Sequence, residues 1–323
     1  MTSVFVTGGS GFVGRRLIER LVDGGHDVRA LARSDAAARN VLQAGASPVR
    51  GDLVTDVQGV RKAMEGCELV FHSAALTARG GSRRAFWSVN VQGTKNVLQS
   101  ARRASVRRLI HVGTEAALMG GQALVNVDET AVLRPDSAAP YASSKAVAEQ
   151  LVLGAYGEGL ETVAVRPRFV WGRGDTTVLP ELLDAVRRGR FAWIGGGRHL
   201  IDTTHVDNAV EGLLLAADRG RPGQAYFVTD GEPVVFRDFI TALLATQGVV
   251  APRRSMPVGV ANALTKMGEA LWQTLRLKGA PPVDRMSFWL SSQECTIDIT
   301  KARTELGYTP VTSRTAGLAA LSQ

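Results

Sequence analysis

Short apolar runs alternate through the N-terminal half of the chain with longer stretches whose apolar residues recur every three or four positions. Val4, Phe5 and Val6 form the first run and stop at glycines, which predicts a short buried strand. Phe12, Val13, Leu17, Ile18, Leu21 and Val22 then repeat at helical spacing. The same alternation predicts further strands over residues 26–32, 47–50, 68–72 and 107–113. Ser34 and Asp35 are expected to cap a helix through Leu42, and Thr55 one through Met64. A long helix is expected over residues 83–104 and another begins at Pro140. Strands and helices in this rhythm form βαβ units, so the chain reads as an α/β protein with a doubly wound parallel sheet. Ligands of such sheets sit outside the carboxyl ends of the strands.

From about Arg166 the alternation loosens. Residues 172–175 and 195–197 read as loops, 178–188 and 206–217 as helices, and 226–228 as a last strand of the sheet. Residues 252–290 contain an amphipathic segment (Val258, Val260, Leu264, Met267, Leu271, Leu275), then Gly279-Ala-Pro-Pro282. The expected division is a dinucleotide-binding domain over 1–165, with 205–230 returning to it. Residues 166–204 and 231–323 would form a smaller substrate-binding unit over the cofactor site. There is no internal repeat or low-complexity stretch.

Composition narrows the class of protein. With 323 residues, 45% hydrophobic and 21% charged, the chain has the balance of a soluble globular protein. No stretch approaches the roughly 18 uncharged apolar residues that a membrane span needs. The first strand starts almost at Met1, leaving no room for a signal peptide. Cys67 and Cys295 lack metal-ligand spacing, which points to a reducing cytoplasm and no metal. The net charge of +8 raises the question of a nucleic-acid partner. Its arginines, however, come as scattered pairs such as Arg15-Arg16 and Arg187-Arg188, without a basic tail or interleaved aromatics. A small-molecule ligand is therefore expected and nucleic acid is not; a homodimer is left open.

Candidate chemistry begins between the first strand and the first helix, where Gly8, Gly11 and Gly14 stand three residues apart. A strand turning into a helix there aims unpaired N–H groups and the positive end of the helix dipole at one point, which suits a pyrophosphate. Gly8 permits the turn, Gly11 lets the backbone approach the phosphates, and Gly14 lets the helix pack close to the strand. The first spacing departs from G-x-G-x-x-G. Further on, Tyr141 and Lys145 lie four apart and share a helix face. A phenol titrates near 10, too high for neutral acid–base work. An ammonium ~5 Å away, at an effective dielectric of about 20, favours the phenolate by roughly 3 kcal/mol, on the order of two pKa units. Such a pair serves as general acid and base for a hydroxyl or carbonyl.

Gly8/Gly11/Gly14 together with Tyr141/Lys145 resembles the extended short-chain dehydrogenase/reductase superfamily, NAD-dependent epimerase/dehydratase-like, over nearly the whole chain. The resemblance implies a Rossmann-type sheet with a smaller C-terminal substrate-binding unit. His72-Ser-Ala-Ala75 resembles the loop that passes under the cofactor, and Gly51-Asp52-Leu53 the adenine contact, with Asp52 facing the ring amine. The stretch from Val89 to Thr94 resembles the Asn-containing central helix, and Arg166-Pro167 to Gly172 the turn beside the nicotinamide. Leu306-Gly-Tyr308 with Pro310 resembles the C-terminal signature. The implied cofactor contacts are Gly8, Gly11, Phe12, Val13, Gly14, Arg33, Asp52, Leu53, Ala74, Ala75, Lys145 and Pro167. Lys145 would also hold the nicotinamide ribose. Thr114 would orient the substrate oxygen, with Glu115 as the alternative under a one-residue shift.

The end of the second strand bears on the cofactor. An acid there would bond the ribose 2′-hydroxyl of NAD; instead the chain has Arg33, suited to a 2′-phosphate, so NADP is expected over NAD. This resembles NADP-using relatives of the dihydroflavonol reductases. Sugar-nucleotide enzymes of the superfamily place a diphosphate-binding arginine where this chain has Ile201, and its dehydratases carry Thr-Asp-Glu where it has Thr114-Glu115-Ala116. Both departures favour the 3β-hydroxysteroid dehydrogenase-like branch.

The expected function is an NADP(H)-dependent oxidoreductase that transfers a hydride between nicotinamide and a secondary alcohol or ketone of a rather apolar, steroid- or flavonoid-like substrate. Tyr141 would pass the proton, Lys145 tune it, and Thr114 polarise the carbonyl. The alternatives are an epimerase or dehydratase with tightly bound NAD(P), and a non-catalytic NADP-binding redox sensor. Asp207 and Asn208 are expected to cap or orient the helix after them. The histidines at 72, 111, 199 and 205 read as structural and the tryptophans as core, with Trp171 placed to line a pocket.

Overall fold

Val4 and Val6 pack on one side of the first strand and Phe5 on the other, and all three are fully buried. A strand buried on both faces belongs inside a parallel sheet between two layers of helices, which explains its unbroken apolar run. The computed structural model, which describes residues 2–77, 81–275 and 284–322, shows that sheet. Its strands are β1 (Ser3–Thr7), β2 (Asp27–Ala32), β3 (Ser47–Arg50), β4 (Leu69–His72), β5 (Arg108–Val112), β6 (Glu161–Pro167) and β7 (Gln224–Val228). They run parallel in the order β7-β6-β5-β4-β1-β2-β3. Crossovers leave β1 in opposite directions, which places a crevice for ligands at its carboxyl end. One core, with Leu17, Ile18, Val210 and Leu213, fills one face; a second, with Val60, Val97, Ala101 and Val152, fills the other.

Several local expectations are corrected. Asp56, not Thr55, caps the third helix, its side chain accepting from Gly59 N–H. Thr55 instead gives its N–H to Asp52. The long helix is broken in hydrogen-bond pattern. Arg83–Phe86 and Gly93–Arg103 are α-helical and Trp87–Gln92 is a π-turn, where the Thr94 hydroxyl takes the Asn90 carbonyl (2.6 Å). A side chain inserted into the helical ladder is a known cause of such a turn. Of the two roles expected for Asp207 and Asn208, capping or orienting the helix after them, the structure gives the orienting one. His205 is the cap residue, Asp207 accepts from Arg16 Nε (2.5 Å), and Asn208 Oδ1 accepts the N–H groups of Val311 and Thr312 (both 2.8 Å). These contacts tie the first helix and the C-terminal segment to the helix Val206–Arg219.

A second, four-stranded sheet was not expected. It sets Val234–Val235, Leu200–Ile201, Cys295–Ile297 and Leu124–Val127 side by side. The strands are too short to show a period. The amphipathic segment forms the helix Val258–Thr274, but its apolar stripe faces away from the protein: Val258, Val260, Leu264, Met267, Leu271 and Leu275 are all exposed. The packed side carries Ala261 and Thr265. A helix with two apolar sides has a period that does not tell which side is inward. Gly279-Ala-Pro-Pro282 lies outside the described residues.

Candidate active site

The turn after β1 is shaped by what its glycines lack. Gly8 has φ +74°, and a Cβ there would lie 2.6 Å from the backbone nitrogen of Ala74. A Cβ on Gly14 would overlap the Gly8 carbonyl oxygen. Gly11 precedes the helix Phe12–Asp23 and brings no side-chain cap to that helix's positive end. The turn opens on a cavity of about 2490 Å³. Uncapped N–H groups and a cradle free of Cβ atoms at its rim fit a dinucleotide pyrophosphate.

The candidate catalytic and cofactor-contact residues read from the sequence all line this one cavity. Gly8, Gly11, Phe12, Val13 and Gly14 form its rim; Arg33, Asp52 and Leu53 stand after β2 and β3; Ala74 and Ala75 follow β4. Thr114 follows β5, Tyr141 and Lys145 come from the helix Pro140–Gly154, and Pro167 ends β6. Arg33 is exposed on the wall near Asp52, whose carboxylate is buried in part yet held below its ordinary range by the N–H groups of Val54 and Thr55 and by Arg33.

The loop after β4 is pinned from two sides. Thr7 Oγ1 accepts from Ala74 N–H (3.2 Å), and the amide of Asn90 holds both Leu76 N–H (2.7 Å) and Leu76 carbonyl (3.1 Å). Asn90 also donates to Ser144 Oγ (3.0 Å), which couples this loop to the helix of Tyr141. His72 bridges Thr7 (2.7 Å) and Thr94 (2.9 Å); burial, reinforced by Lys145, pushes its pKa down to about 3, so it is a neutral connector.

Tyr141 is half-buried with its ring edge against Phe86, at 5.9 Å between centroids. Burial and the charge of Glu115 raise its pKa well above the ordinary phenol, while hydrogen bonding with Thr114 acts the other way. Lys145 is buried, and burial lowers its ammonium to about 8. Its Nζ donates to the Val112 carbonyl (2.8 Å) and lies 3.3 Å from His111 Nε2. The expected lowering of Tyr141 by Lys145 is therefore not what this geometry gives: desolvation and Glu115 govern the phenol, and Lys145 is turned toward β5.

Glu115 holds a place that the sequence left between two registers. Thr114 keeps the position nearest Tyr141, and its hydroxyl donates to Glu115 Oε2 (2.7 Å). Glu115 Oε1 faces the buried Arg168 Nε at 3.4 Å. Arg168 is among the cavity residues, and nothing in the sequence pointed to this Arg168–Glu115 pair because its members lie far apart in the chain. Ile201 is fully buried in a core cluster with Trp171 and Phe239, away from the cavity. Trp171 likewise belongs to that core, its Nε1 donating to Asp230 (2.8 Å), and does not line the cavity. The outer walls are mainly apolar, with Phe169, Leu182, Ile194, Met256, Met286 and Leu290. Among the described residues there is no group of side chains able to hold a metal. No described helix is long and apolar enough to cross a membrane.

A parallel sheet with a glycine turn at its crevice, facing a tyrosine and a lysine one helical turn apart, defines an NAD(P)-dependent dehydrogenase/reductase of the extended short-chain type. The 3-beta hydroxysteroid dehydrogenase/isomerase family model matches residues 5–258, and the chain belongs to that family. It is 47% identical over 319 residues to a 4-hydroxy-2-methyl-3-oxo-4-farnesyl-3,4-dihydroquinoline-1-oxide ketoreductase of Stigmatella aurantiaca, covering 99% of this chain and 95% of the relative. It is 37% identical to a 2-alkyl-3-oxoalkanoate reductase of Stenotrophomonas maltophilia, covering 98% and 97%. Among solved structures it resembles gox2253, with a TM-score of 0.82, 28% identity, and coverage of 100% and 97%.

Proposed function

We propose that the protein is an NADP(H)-dependent ketoreductase or dehydrogenase acting on a secondary alcohol or ketone of an apolar substrate. The observation that carries this reading is the meeting of Tyr141, Lys145 and Thr114 with the glycine turn on one cavity whose outer wall is mainly apolar, with charged residues such as Arg190, Arg254 and Arg285 among the apolar ones. Residues 1–165 with 205–230 would hold the cofactor, and 166–204 with 231–323 would shape the substrate pocket. The rim from Gly8 to Gly14 would receive the pyrophosphate, Arg33 a 2′-phosphate, Asp52 and Leu53 the adenine, and Ala74, Ala75 and Pro167 the flanks. Lys145 would hold the nicotinamide ribose through its buried Nζ. When bound, the nicotinamide supplies or accepts the hydride. Tyr141 Oη gives its proton to the carbonyl oxygen in reduction and takes it back in oxidation. The apolar side chains of the outer wall, and Ile201 standing where sugar-nucleotide enzymes of the superfamily place a diphosphate-binding arginine, support a substrate without a diphosphate. The 47% identical relative, a ketoreductase by name, supports the reducing direction.

The test is calorimetric titration with NADPH and NADH, followed by a ketone screen that includes steroids, flavonoids and 2-alkyl-3-oxoalkanoates, read by nicotinamide absorbance. Tighter binding of NADPH and its net oxidation by an apolar ketone are the expected results. Tighter binding of NADH overturns the cofactor assignment. Turnover of sugar nucleotides without net absorbance change would move the protein to the epimerase reading.

A further inference from the structure

On the outward side of the helix Val258–Thr274, Val260, Leu264, Met267 and Leu271, continued by Leu275, are between 49% and 67% exposed. At about 100° per residue these five fall within roughly 80° of one another, as one stripe along the helix. Ala263 and Ala270 beside them are exposed too. Elsewhere among the described residues, exposed large apolar side chains such as Leu42, Tyr156 and Val311 stand singly in the sequence, which needs no explanation. A continuous exposed stripe marks a contact surface. The opposite side of the helix packs through Ala261 and Thr265 and gives Glu269 and Trp272 to the cavity wall.

Charge decides what the stripe meets. From Arg253 to Leu275 the charged residues are Arg253, Arg254, Lys266 and Glu269. Arg253 and Arg254 are exposed just before the helix, and Lys266 is exposed on the flank of the stripe. Glu269, the one carboxylate, is turned to Arg285, accepting its backbone N–H (2.9 Å) and its Nη2 (2.6 Å). We propose that this helix lies on an anionic lipid bilayer, with the stripe at the acyl boundary and Arg253, Arg254 and Lys266 among the headgroup phosphates. The helix rests in the interface and does not cross it. A second copy of the chain fits this face less well. Lys266 stands at the middle of the helix, so a two-fold pairing along the stripe sets it beside its own copy, like charge against like. On a bilayer, the cavity wall made by Glu269 and Trp272 stands beside the phase that dissolves apolar molecules. That benefit rests on the apolar-substrate reading; the docking does not.

The experiment uses the full chain without substrate, so its failure is separate from failure of the ketoreductase reading. The protein is floated on a density gradient with phosphatidylcholine vesicles, alone or mixed with phosphatidylglycerol. It should rise with the mixed vesicles, far less with phosphatidylcholine alone, and less as salt is added. Leu264→Ser/Met267→Ser/Leu271→Ser should lower the bound fraction at least about tenfold. Arg253→Gln/Lys266→Gln should do the same on the anionic vesicles only. These side chains are exposed, so the variants should keep the wild-type melting temperature. Should the triple variant fail to fold, Met267→Asp alone sets a carboxylate in the stripe and should act in the same direction. Wild-type protein that floats with neither vesicle, or equally with both, overturns the proposal. So does equal flotation of wild type and stripe variants. A wild-type dimer that stays off the vesicles and falls to a monomer in the triple variant assigns the stripe to a second copy instead.

Discussion

Arg166 and Glu149 form an ion pair from which water is excluded, with side-chain exposures of 3% and 1%. Both Nε (2.7 Å) and Nη2 (2.5 Å) of the arginine reach the same carboxylate oxygen. The pair fastens β6 to the helix that carries Tyr141 and Lys145, and Gly113 passes so close that a Cβ there would meet Glu149 Oε2 at 2.9 Å. Removing one partner of a buried pair leaves the other charge uncompensated, which costs about 3–5 kcal/mol. Glu149→Gln should lower the urea midpoint accordingly, and Glu149→Gln/Arg166→Met should recover much of the loss. A single variant as stable as the wild type would refute this account.

Arg33→Asp tests the cofactor proposal at one residue. Loss of a charge-assisted contact should weaken NADP binding by roughly 1.5–3 kcal/mol. NAD binding should stay equal or improve, since an acid at this place can bond a 2′-hydroxyl. Calorimetry with both nucleotides measures the pair of changes. Equal weakening of both would mean that Arg33 does not read the 2′ position.

Tyr141→Phe keeps the ring against Phe86 and removes only the acid. Turnover of whichever ketone the screen identifies should fall by about 100-fold or more, while NADPH affinity stays close to that of the wild type. A variant that turns over at the wild-type rate would remove Tyr141 from the mechanism.

Lys145 makes stability depend on pH. Burial lowers its pKa from an ordinary 10.5 to about 8 in the folded chain. Below pH 8 both states carry the charge and the folded state bears the full cost of burying it. Between about 8 and 10.5 the folded chain binds fewer protons than the unfolded one, so stability rises with pH. Relative to Lys145→Met, the wild type should therefore gain melting temperature across that window. A gap between the two that is flat from pH 7 to about pH 10.5 would show that Lys145 is not buried as a charge.

The N-terminal half was legible because its strands are buried on both faces. Val4 to Val6 and Leu69 to His72 read as unbroken apolar runs ending where the ligand crevice lies. The cavity residues were legible for a related reason: each stands directly after one of those runs or on the Pro140 helix. What escaped notice depends on contacts between distant segments. Leu200–Ile201 and Cys295–Ile297 are strands because they pair across the chain, with each other nearly a hundred residues apart and with Val234–Val235 and Leu124–Val127 on their outer sides. Asn208 showed polarity but not its partners Val311 and Thr312. For Val258 to Leu275 the helix and its period were legible, while the side that packs, with Ala261 and Thr265, was not. Arg168 looked like any other arginine in a chain that has many.

The π-turn at Trp87–Gln92 is one residue longer than an α-helical turn, and that residue sets the phase of everything around it. Upstream, Phe86 points at Tyr141; downstream, Val97 and Ala101 point into the core. Each residue of an α-helix advances the side-chain direction by about 100°. Deleting any one residue of the turn would heal the hydrogen-bond ladder and misalign the two ends by that angle. The core would claim Val97 and Ala101, and Phe86 would swing off the tyrosine. A helix made more regular by one deletion would leave the cavity without that wall.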